Sequence, residues 1–237
     1  MAHSALDDVT EYRRAVRKLG REIDILVNYP KAKRDLSARL ESKSEESRAI
    51  GRKFGFDYFD GDRNHGYGGF NYLERFWQPV IPTIIENYQI NNSSVVLDVG
   101  CAKGFFLYDL TQELPGISIS GIDISEYAIE NAKPEVKENL QVANATKLPF
   151  KDDSFDFVMS INTVHNLNRE DCAISLQEIE RVSRGDSFIT VDAYRNDDEK
   201  ARMEAWNLTA LTMMAVDEWK EFFLEIGYTG DYYWFIP

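Results

Sequence analysis

An acidic residue followed by a loop of small residues stands at the end of a short apolar run near the middle of the chain. The run covers Val95–Val99, and its only polar member is Asp98. A short valine-rich run is typical of a strand buried on both faces of a parallel sheet. Gly100 and Gly104 then allow a tight turn, and the helix predicted after them would direct its N-terminus at a ligand. The sequence therefore predicts a site for a nucleotide-like molecule after this strand.

The spacing of the glycines argues against a nicotinamide or flavin dinucleotide. The dinucleotide-binding motif would require glycines at positions 100, 102 and 105. This chain has Ala102 and Phe105 at the second and third of these positions. Such cofactors are therefore disfavoured.

A second acidic residue, Asp123, ends the next predicted strand, at residues 117–123. In α/β nucleotide sites a carboxylate at this place accepts hydrogen bonds from both ribose hydroxyls. Ser125 can cap the helix predicted over residues 126–133, which Pro134 would stop. Asp123 is therefore the predicted ribose ligand.

These residues resemble motif I of the class I S-adenosylmethionine-dependent methyltransferases, an acid and a variable residue followed by Gly-x-Gly-x-Gly. The chain departs from this pattern at Ala102, whose methyl group would narrow the pocket without blocking it. Residues 148–156 resemble the "LPF…SFD" stretch of the methyltransferase type 11 group. The likeness covers roughly residues 90–195 and keeps four motifs in order.

The resemblance implies S-adenosylmethionine as the cofactor and S-adenosylhomocysteine as its product. Asn144 stands where the family usually has an acid that binds the adenine amino group, and its amide oxygen could accept the same hydrogen bond. The predicted cofactor-binding residues are Asp98, Gly100, Cys101, Ala102, Gly104, Asp123, Ile124, Asn144, Ala145, Thr146 and Ser160.

Methyl transfer is an in-line displacement, so positioning of the acceptor can supply most of the catalysis. For a hydroxyl or protonated amine a base helps, and the predicted catalytic residues are His165 and Asp192. His165 could equally cap or line the cofactor pocket. Tyr194 and Arg195 could hold an acidic substrate. The predicted substrate-binding residues are Tyr67, Tyr72, Asn162, Tyr194, Arg195 and Trp206.

The elements around these residues predict an α/β fold, a Rossmann-like class I methyltransferase sheet with helices on both faces and an N-terminal helical extension. The methyltransferase domain is predicted over residues 79–237, with an insert over the acceptor site at 196–214. Further strands are predicted at 155–161, 187–194 and 228–236, and helices at 169–184 and 217–226. The apolar spacing predicts a helix within the insert as well.

Residues 1–78 are predicted to form the extension. Its first helix would end at Tyr29-Pro30 and carries an apolar stripe of Val9, Tyr12, Val16, Leu19, Ile23 and Leu26, which would dock on the core or form a homodimer contact. A second, polar helix is predicted over residues 31–53. Residues 55–78 combine five glycines with eight aromatic residues. They could form a lid that excludes water, or an ordered connector.

The charge composition of the chain disfavours two classes of binding partner. The formal net charge is −13 and the pI is about 4.7, which disfavours nucleic acid and anionic membranes. The charge is uneven, because residues 1–53 hold 13 basic against 9 acidic residues. This segment could pack on the acidic remainder or cover an anionic substrate.

Two cysteines predict no disulfide framework and indicate a reducing compartment, most simply the cytoplasm. No apolar run has the length of a membrane span, and the chain start lacks a signal-peptide pattern. Three scattered histidines make a zinc site improbable. Asp60, Asp62 and Asn64 fail as a calcium loop, because His65 and Asn71 occupy the positions of the required glycine and glutamate.

The predicted function is therefore transfer of a methyl group to an oxygen or nitrogen of a small-molecule acceptor. An aminopropyl transferase is an alternative, but the paired acids of that class are replaced here by Ser160-Ile161-Asn162. The other alternative is a non-catalytic cofactor-binding subunit that acts on a partner through its N-terminal helices.

Overall fold

A parallel β-sheet forms the centre of the protein in the computed structural model, which describes residues 18–30 and 44–237. Its strands are β1 (Val95–Val99), β2 (Ser118–Asp123), β3 (Leu140–Val142), β4 (Phe155–Ile161), β5 (Ser183–Tyr194), β6 (Met214–Ala215) and β7 (Asp231–Phe235). The order runs β3-β2-β1-β4-β5, and both β6 and β7 pair with β5. All of these pairings are parallel. The strand order reverses between β1 and β4, which is where open α/β sheets bind ligands.

The helices cover the two faces of this sheet. They are α1 (Glu45–Gly51), α2 (Phe56–Phe59), α3 (Ile81–Tyr88), α4 (Phe105–Glu113), α5 (Glu126–Glu130), α6 (Arg169–Val182), α7 (Asp197–Trp206) and α8 (Val216–Ile226). One apolar cluster joins α6 and α8 to one face, and a second joins α3 and α4 to the other. Neighbouring residues of β1 divide between them, with Leu97 in the first and Val96 in the second. The predicted Rossmann-like sheet with helices on both faces is thereby confirmed.

Residues 18–30 correct the prediction of a first helix. Glu22 forms a bridge with Tyr232 of β7, and the Ile23 N–H donates to the Tyr232 carbonyl at 3.0 Å. The Tyr232 N–H in turn donates to the Arg21 carbonyl at 3.0 Å. The chain is therefore extended where Leu19 and Ile23 were expected on a helical stripe, because the open edge of β7 supplies hydrogen-bond partners. The predicted residues Val9, Tyr12 and Val16 lie outside the described residues.

Other boundaries differ more modestly from the prediction. The helix expected over 126–133 ends at Glu130, and the one expected over 169–184 ends at Val182, where β5 begins directly. Of the polar helix expected over 31–53, residues 31–43 lie outside the described residues, and α1 covers Glu45–Gly51. In the insert the helix stops at Trp206, because the Asn207 side chain accepts the Ala210 N–H and turns the chain.

The segment 55–78, named here the aromatic segment, packs against the helix that follows the glycine loop. The Phe70 and Phe105 rings are stacked with centroids 5.1 Å apart. The Tyr72 hydroxyl donates to Asp109 in α4 at 2.5 Å. The Lys103 ammonium lies 2.6 Å from the Asp60 carboxylate. The segment thus has defined contacts along the edge of the loop, as the ordered-connector interpretation expects.

Candidate active site

The loop between β1 and α4 has an unusual backbone. Gly100, Ala102 and Gly104 all have positive φ, at 87°, 48° and 75°. A Cβ on Gly100 would lie 2.1 Å from the Thr163 hydroxyl oxygen, so only glycine fits there. Ala102 occupies a left-handed conformation that glycine adopts at lower cost. The loop therefore keeps the backbone path of a glycine-rich turn although its middle residue is alanine.

Asp123 connects this loop to the end of β2. Its two carboxylate oxygens accept the N–H groups of Ala102 and Ser125, both at 2.8 Å. Only 8% of the residue is exposed, and burial raises the pKa of the Asp123 carboxyl although these N–H donors oppose the shift. Each oxygen keeps a lone pair for a further donor. The carboxylate is thus positioned to accept hydroxyl groups from a ligand.

A cavity of about 250 Å³ lies beside Asp123. The aliphatic side chains on its wall are Ile122, Ile124, Ala143, Ala145, Ile161 and Leu167. Phe54, Tyr58 and Phe59 close it from the N-terminal side. The combination of apolar walls with a buried carboxylate suits a nucleoside.

Two polar atoms on the wall of this smaller cavity are buried without a hydrogen-bond partner among the described residues. They are Nε of Arg52 and Oδ1 of Asn166. A buried polar atom without a partner costs about 1–3 kcal/mol. These atoms therefore mark places where a bound molecule would supply hydrogen bonds.

Asn144 lines the smaller cavity, but its predicted role needs correction. Its Oδ1 already accepts both the N–H and the hydroxyl of Thr146, each at 2.9 Å. An amide oxygen has two lone pairs, so both are used. The Asn144 oxygen is therefore engaged, and the side chain offers a ligand its N–H donors instead.

A larger cavity of about 750 Å³ adjoins the smaller one. Asp98 of β1 and Cys101 of the glycine loop line it, as do Tyr29 and Tyr233 from the two ends of the described chain. Asp98 is 5% exposed, and no hydrogen bond from a residue within 18–30 or 44–237 reaches its carboxyl group. Burial, followed by the charge of Asp123, raises the pKa of Asp98 to about 8. A cationic ligand would compensate this carboxylate.

The two cavities meet at five shared residues. These are Tyr67, Gly100, Ala102, Ile161 and Asn162. Asn162 directly follows β4, has a φ of 52° and is held by hydrogen bonds with Thr190 at 2.9 and 3.0 Å. Strained non-glycine residues of this kind cluster at functional sites. A group bound in one cavity can thus contact a molecule in the other at this junction.

His165 and Asp192 meet, but behind the cavity walls. The Asp192 N–H donates to Nδ1 of His165 at 2.9 Å, and Nε2 lies 3.7 Å from the Asp192 carboxylate. The residues are 4% and 6% exposed and line neither cavity. Burial lowers the pKa of His165 against the opposing charge of Asp192. This placement does not suit the predicted catalytic role, because no acceptor can reach the ring without displacing its surroundings.

Several other predicted site residues lie away from both cavities. Ser160 is fully buried, and its hydroxyl donates to the Val99 carbonyl across the sheet. Gly104 caps α4, and Thr146 binds Asn144. Tyr72 binds the buried Asp109 of α4. Tyr194 and Trp206 contact Lys200 and Phe235, respectively. The predicted residues that do line a cavity are Asp98, Gly100, Cys101, Ala102, Asp123, Ile124, Asn144, Ala145, Tyr67, Asn162 and Arg195.

Some lining residues were not predicted from the sequence. Arg52 and Tyr58 approach the smaller cavity from the N-terminal part, and Arg202 lines the larger cavity from α7. The sequence did contain a signal for Arg202, because this residue lies next to Met203 in the insert that was predicted to cover the acceptor site. The sequence contained no such signal for Arg52, since this residue reaches the cavity only through contacts between distant parts of the chain.

Within the described ranges, no helix has the length and apolarity needed to cross a membrane. The same residues contain no group of three or more His, Cys, Asp or Glu side chains that could hold a metal ion.

Comparisons with known proteins agree with this geometry. A family profile described as a methyltransferase domain matches residues 97–191. The chain is 29% identical over 131 residues to 2-methyl-6-phytyl-1,4-hydroquinone methyltransferase of Synechocystis sp., covering 53% of this chain and 40% of that protein. It is also 29% identical over 143 residues to tRNA (carboxymethyluridine(34)-5-O)-methyltransferase of Arabidopsis thaliana, covering 60% and 33%. The chain spans less than two thirds of the length of the curated relatives it matches.

The fold has solved counterparts. The YcgJ protein from Bacillus subtilis superimposes with a TM-score of 0.51 at 20% identity, over 62% of this chain and 66% of that chain. At this identity the similarity concerns the fold.

Proposed function

The chain belongs to the class I S-adenosylmethionine-dependent methyltransferases, and from this we propose that it methylates an oxygen or nitrogen atom of a small-molecule acceptor. The observation that carries the proposal is the junction of the two cavities at Gly100, Ala102 and Asn162. A nucleoside in the smaller cavity would present a reactive group to a molecule in the larger one there.

The residues present fit this cofactor. Asp123 would accept the ribose hydroxyls, and the aliphatic walls around Ile124 and Ala145 would contact the adenine ring. Asp98 would face the positively charged amino acid part, which supplies the cation that its buried carboxylate lacks. When bound, S-adenosylmethionine supplies an electrophilic methyl group on a sulfonium and a neutral thioether leaving group.

The chain's own contribution would be mainly positional. Tyr67 and Asn162 border the junction, and the hydrogen bonds to Thr190 hold Asn162 in place. Holding two reactants in a reactive geometry is worth up to about 7–11 kcal/mol of the barrier. The aromatic segment supplies Tyr58, Phe59 and Tyr67 to the walls, which would help to exclude water from the sulfonium.

Two considerations support a small-molecule acceptor. The larger cavity, about 750 Å³, falls in the range of pockets that enclose small ligands. The formal net charge of −13 disfavours binding of RNA, although one relative is named as a tRNA methyltransferase. The Synechocystis relative is named for a hydroquinone, which is a small molecule.

Calorimetric titration tests the cofactor assignment. We expect wild-type protein to bind S-adenosylhomocysteine and Asp123→Ala to bind it more weakly by about 1.5–3 kcal/mol, the scale of charge-assisted hydrogen bonds. Asp217→Ala removes an exposed carboxylate in the first turn of α8 and serves as the matched control. NAD serves as the control ligand. Equal binding of NAD, or unchanged affinity in Asp123→Ala, would contradict the proposal.

A further inference from the structure

Two arginines share one carboxylate beside the larger cavity. Arg195 directly follows β5, and Arg202 lies on α7; both line the cavity. Glu199 lies 3.6 Å from Arg195 Nη1 and 4.0 Å from Arg202 Nη2. These three side chains sum to one positive charge, in a protein whose net charge is strongly negative. The sum is unchanged when Glu22, whose carboxylate interacts with the charge of Arg195, is counted together with its ion-pair partner Lys220.

Both guanidinium groups are available to a ligand. Within residues 18–30 and 44–237, neither guanidinium makes a hydrogen bond, because the contacts to Glu199 are longer than 3.5 Å. Glu199 itself is engaged with the backbone, since its Oε2 accepts the Arg195 N–H at 2.8 Å. The arginine side chains are 49% and 48% exposed. Their N–H donors can therefore turn to an anion in the cavity without breaking a hydrogen bond to the described protein.

The other charged groups on the wall do not neutralise these arginines. Asp24 and Asp98 also line the larger cavity, but neither forms an ion pair with Arg195 or Arg202 in the part of the chain that the structure describes. Asp24 accepts the Leu26 N–H through Oδ1 at 3.0 Å. Asp98 lies in β1, level with Phe188 of β5, seven residues before Arg195. The cationic end of the cavity is thus separate from the end at the glycine loop.

The body of the cavity is aromatic. Its rings come from four parts of the chain and include Tyr29, Phe70, Trp77, Phe105, Tyr233 and Phe235. Such walls favour a planar or apolar molecular body. The register of the sheet places Gly100 level with Thr190 of β5, and Arg195 lies five residues further along the strand direction. Two strand spacings and five residues put the Cα atoms of Gly100 and Arg195 about 19 Å apart. An acceptor that reaches from the Arg195 side chain to the glycine loop is therefore longer than a single ring.

We infer that the acceptor carries a carboxylate, bound by Arg195 and Arg202, on an elongated aromatic body whose nucleophilic atom reaches the junction of the two cavities. This inference rests on the proposed function. Guanidinium groups bind carboxylates through paired hydrogen bonds. The single unbalanced positive charge matches a monoanion better than a phosphate dianion.

The test compares acids with their neutral primary amides on the full chain saturated with S-adenosylhomocysteine. The probes are para-hydroxycinnamate and 4′-hydroxybiphenyl-4-carboxylate, each paired with its amide, and phenyl phosphate. We expect wild-type protein to bind at least one acid about tenfold more tightly than its amide and than phenyl phosphate. The double variant Arg195→Gln, Arg202→Gln should lose this preference and keep its affinity for S-adenosylhomocysteine.

Lys200→Gln is the matched control. It removes one positive charge from the same helix, and the Lys200 ammonium lies over the Tyr194 ring, outside the cavity lining. This variant should keep the preference for the acid. Amides that bind as well as the acids, no binding of either acid, tighter binding of phenyl phosphate, or an unchanged preference in the double variant would overturn the inference. Failure of wild-type protein to bind S-adenosylhomocysteine would instead contradict the proposed function on which it rests.

Discussion

The Lys103 ammonium lies 2.6 Å from the Asp60 carboxylate, and this ion pair joins the loop after β1 to the aromatic segment. The Lys103 side chain is 7% exposed. Asp60 also accepts the Tyr127 hydroxyl at 2.6 Å and the Phe70 N–H at 2.8 Å. Close by, the Ser125 hydroxyl donates to the Phe54 carbonyl at 2.5 Å. The glycine loop and the aromatic segment are therefore joined by an ion pair and by hydrogen bonds. If the aromatic segment opened as a lid, these contacts would have to break.

Asp60→Asn should weaken binding of S-adenosylhomocysteine about tenfold, because Phe59 and Tyr67 of the segment line the proposed nucleoside cavity. It should also lower the free energy of unfolding by about 1–3 kcal/mol, since the buried Lys103 ammonium would lose its charged hydrogen-bond partner. Calorimetric titration and urea unfolding measure the two effects. Asp152→Asn, which breaks an exposed ion pair with Arg181, is the control and should change neither quantity measurably. Unchanged affinity in Asp60→Asn would show that the segment does not help to hold the cofactor.

Asp98 should make cofactor binding depend on pH. Burial raises the pKa of its carboxyl to about 8 in the free protein, so binding of a cationic ligand near pH 7 requires loss of a proton. Affinity for S-adenosylhomocysteine should therefore rise with pH, by up to about tenfold per unit, and level off above about 8. Titration in buffers of different ionisation enthalpy should detect the released proton. Asp98→Asn should bind weakly at every pH and release none; proton release by this variant would assign the effect to another group.

The same carboxyl should affect stability in the opposite direction. Its pKa is higher in the folded than in the unfolded chain, so its contribution to stability is complete below the unfolded value and is lost as pH rises toward about 8. At pH 9 the ligand-free Asp98→Asn variant should unfold at higher denaturant than wild type, with a gain of at least about 1 kcal/mol. At pH 3 the two proteins should differ little. A variant less stable than wild type at pH 9 would contradict this account of Asp98.

Two single substitutions in the glycine loop should act in opposite directions. Gly100→Ala would place a methyl group 2.1 Å from the Thr163 hydroxyl oxygen, so it should distort the loop and abolish cofactor binding. Ala102→Gly should stabilise the fold by up to about 1 kcal/mol if relief of the left-handed conformation exceeds the added backbone entropy of the unfolded state. Thermal unfolding and cofactor titration of both variants provide the comparison. If Gly100→Ala bound the cofactor normally, the loop would have room for a methyl group, which contradicts the close approach of Thr163 in the structure.

His165 should matter for stability and not for proton transfer. His165→Ala would leave the Asp192 N–H without its acceptor and should cost about 1–3 kcal/mol. Because burial lowers the pKa of His165 below its unfolded value, its contribution to stability is present above about pH 6.5 and is lost as pH falls through the lower folded value. The pH profile of methyl transfer by the variant should match that of wild type where both are folded. If the rate of the variant no longer changed with pH where the wild-type rate depends on a deprotonated base, His165 would be the general base after all.

The sequence was sufficient for the parts of the site that depend on local backbone geometry. The β1 loop and the end of β2 could be predicted because glycine conformation and strand length are properties of short segments. Asp98, Gly100 and Asp123 accordingly lie together. The resemblance to the class I methyltransferases also implied the Rossmann-like sheet, which the structure has.

The errors arose where partners come from distant parts of the chain. The apolar spacing of Leu19 and Ile23 fitted a helix, but the edge of β7, some two hundred residues away, holds that segment extended. His165 stands in the expected loop, yet its ring points to the backbone of Asp192. Ser160 follows the same pattern, because its hydroxyl binds Val99 of the neighbouring strand. Burial and side-chain direction at these positions are set by tertiary contacts.

Transfer of a labelled methyl group tests the central claim most directly. Protein incubated with S-adenosylmethionine labelled in its methyl group, together with separate small-molecule, RNA and protein fractions of a cell extract, should label the small-molecule fraction alone. Asp123→Ala should label it far less, and Asp217→Ala should label it as wild type does. Label in the RNA or protein fraction, or no labelled product from a wild-type protein that binds the cofactor, would contradict the assignment as a small-molecule methyltransferase.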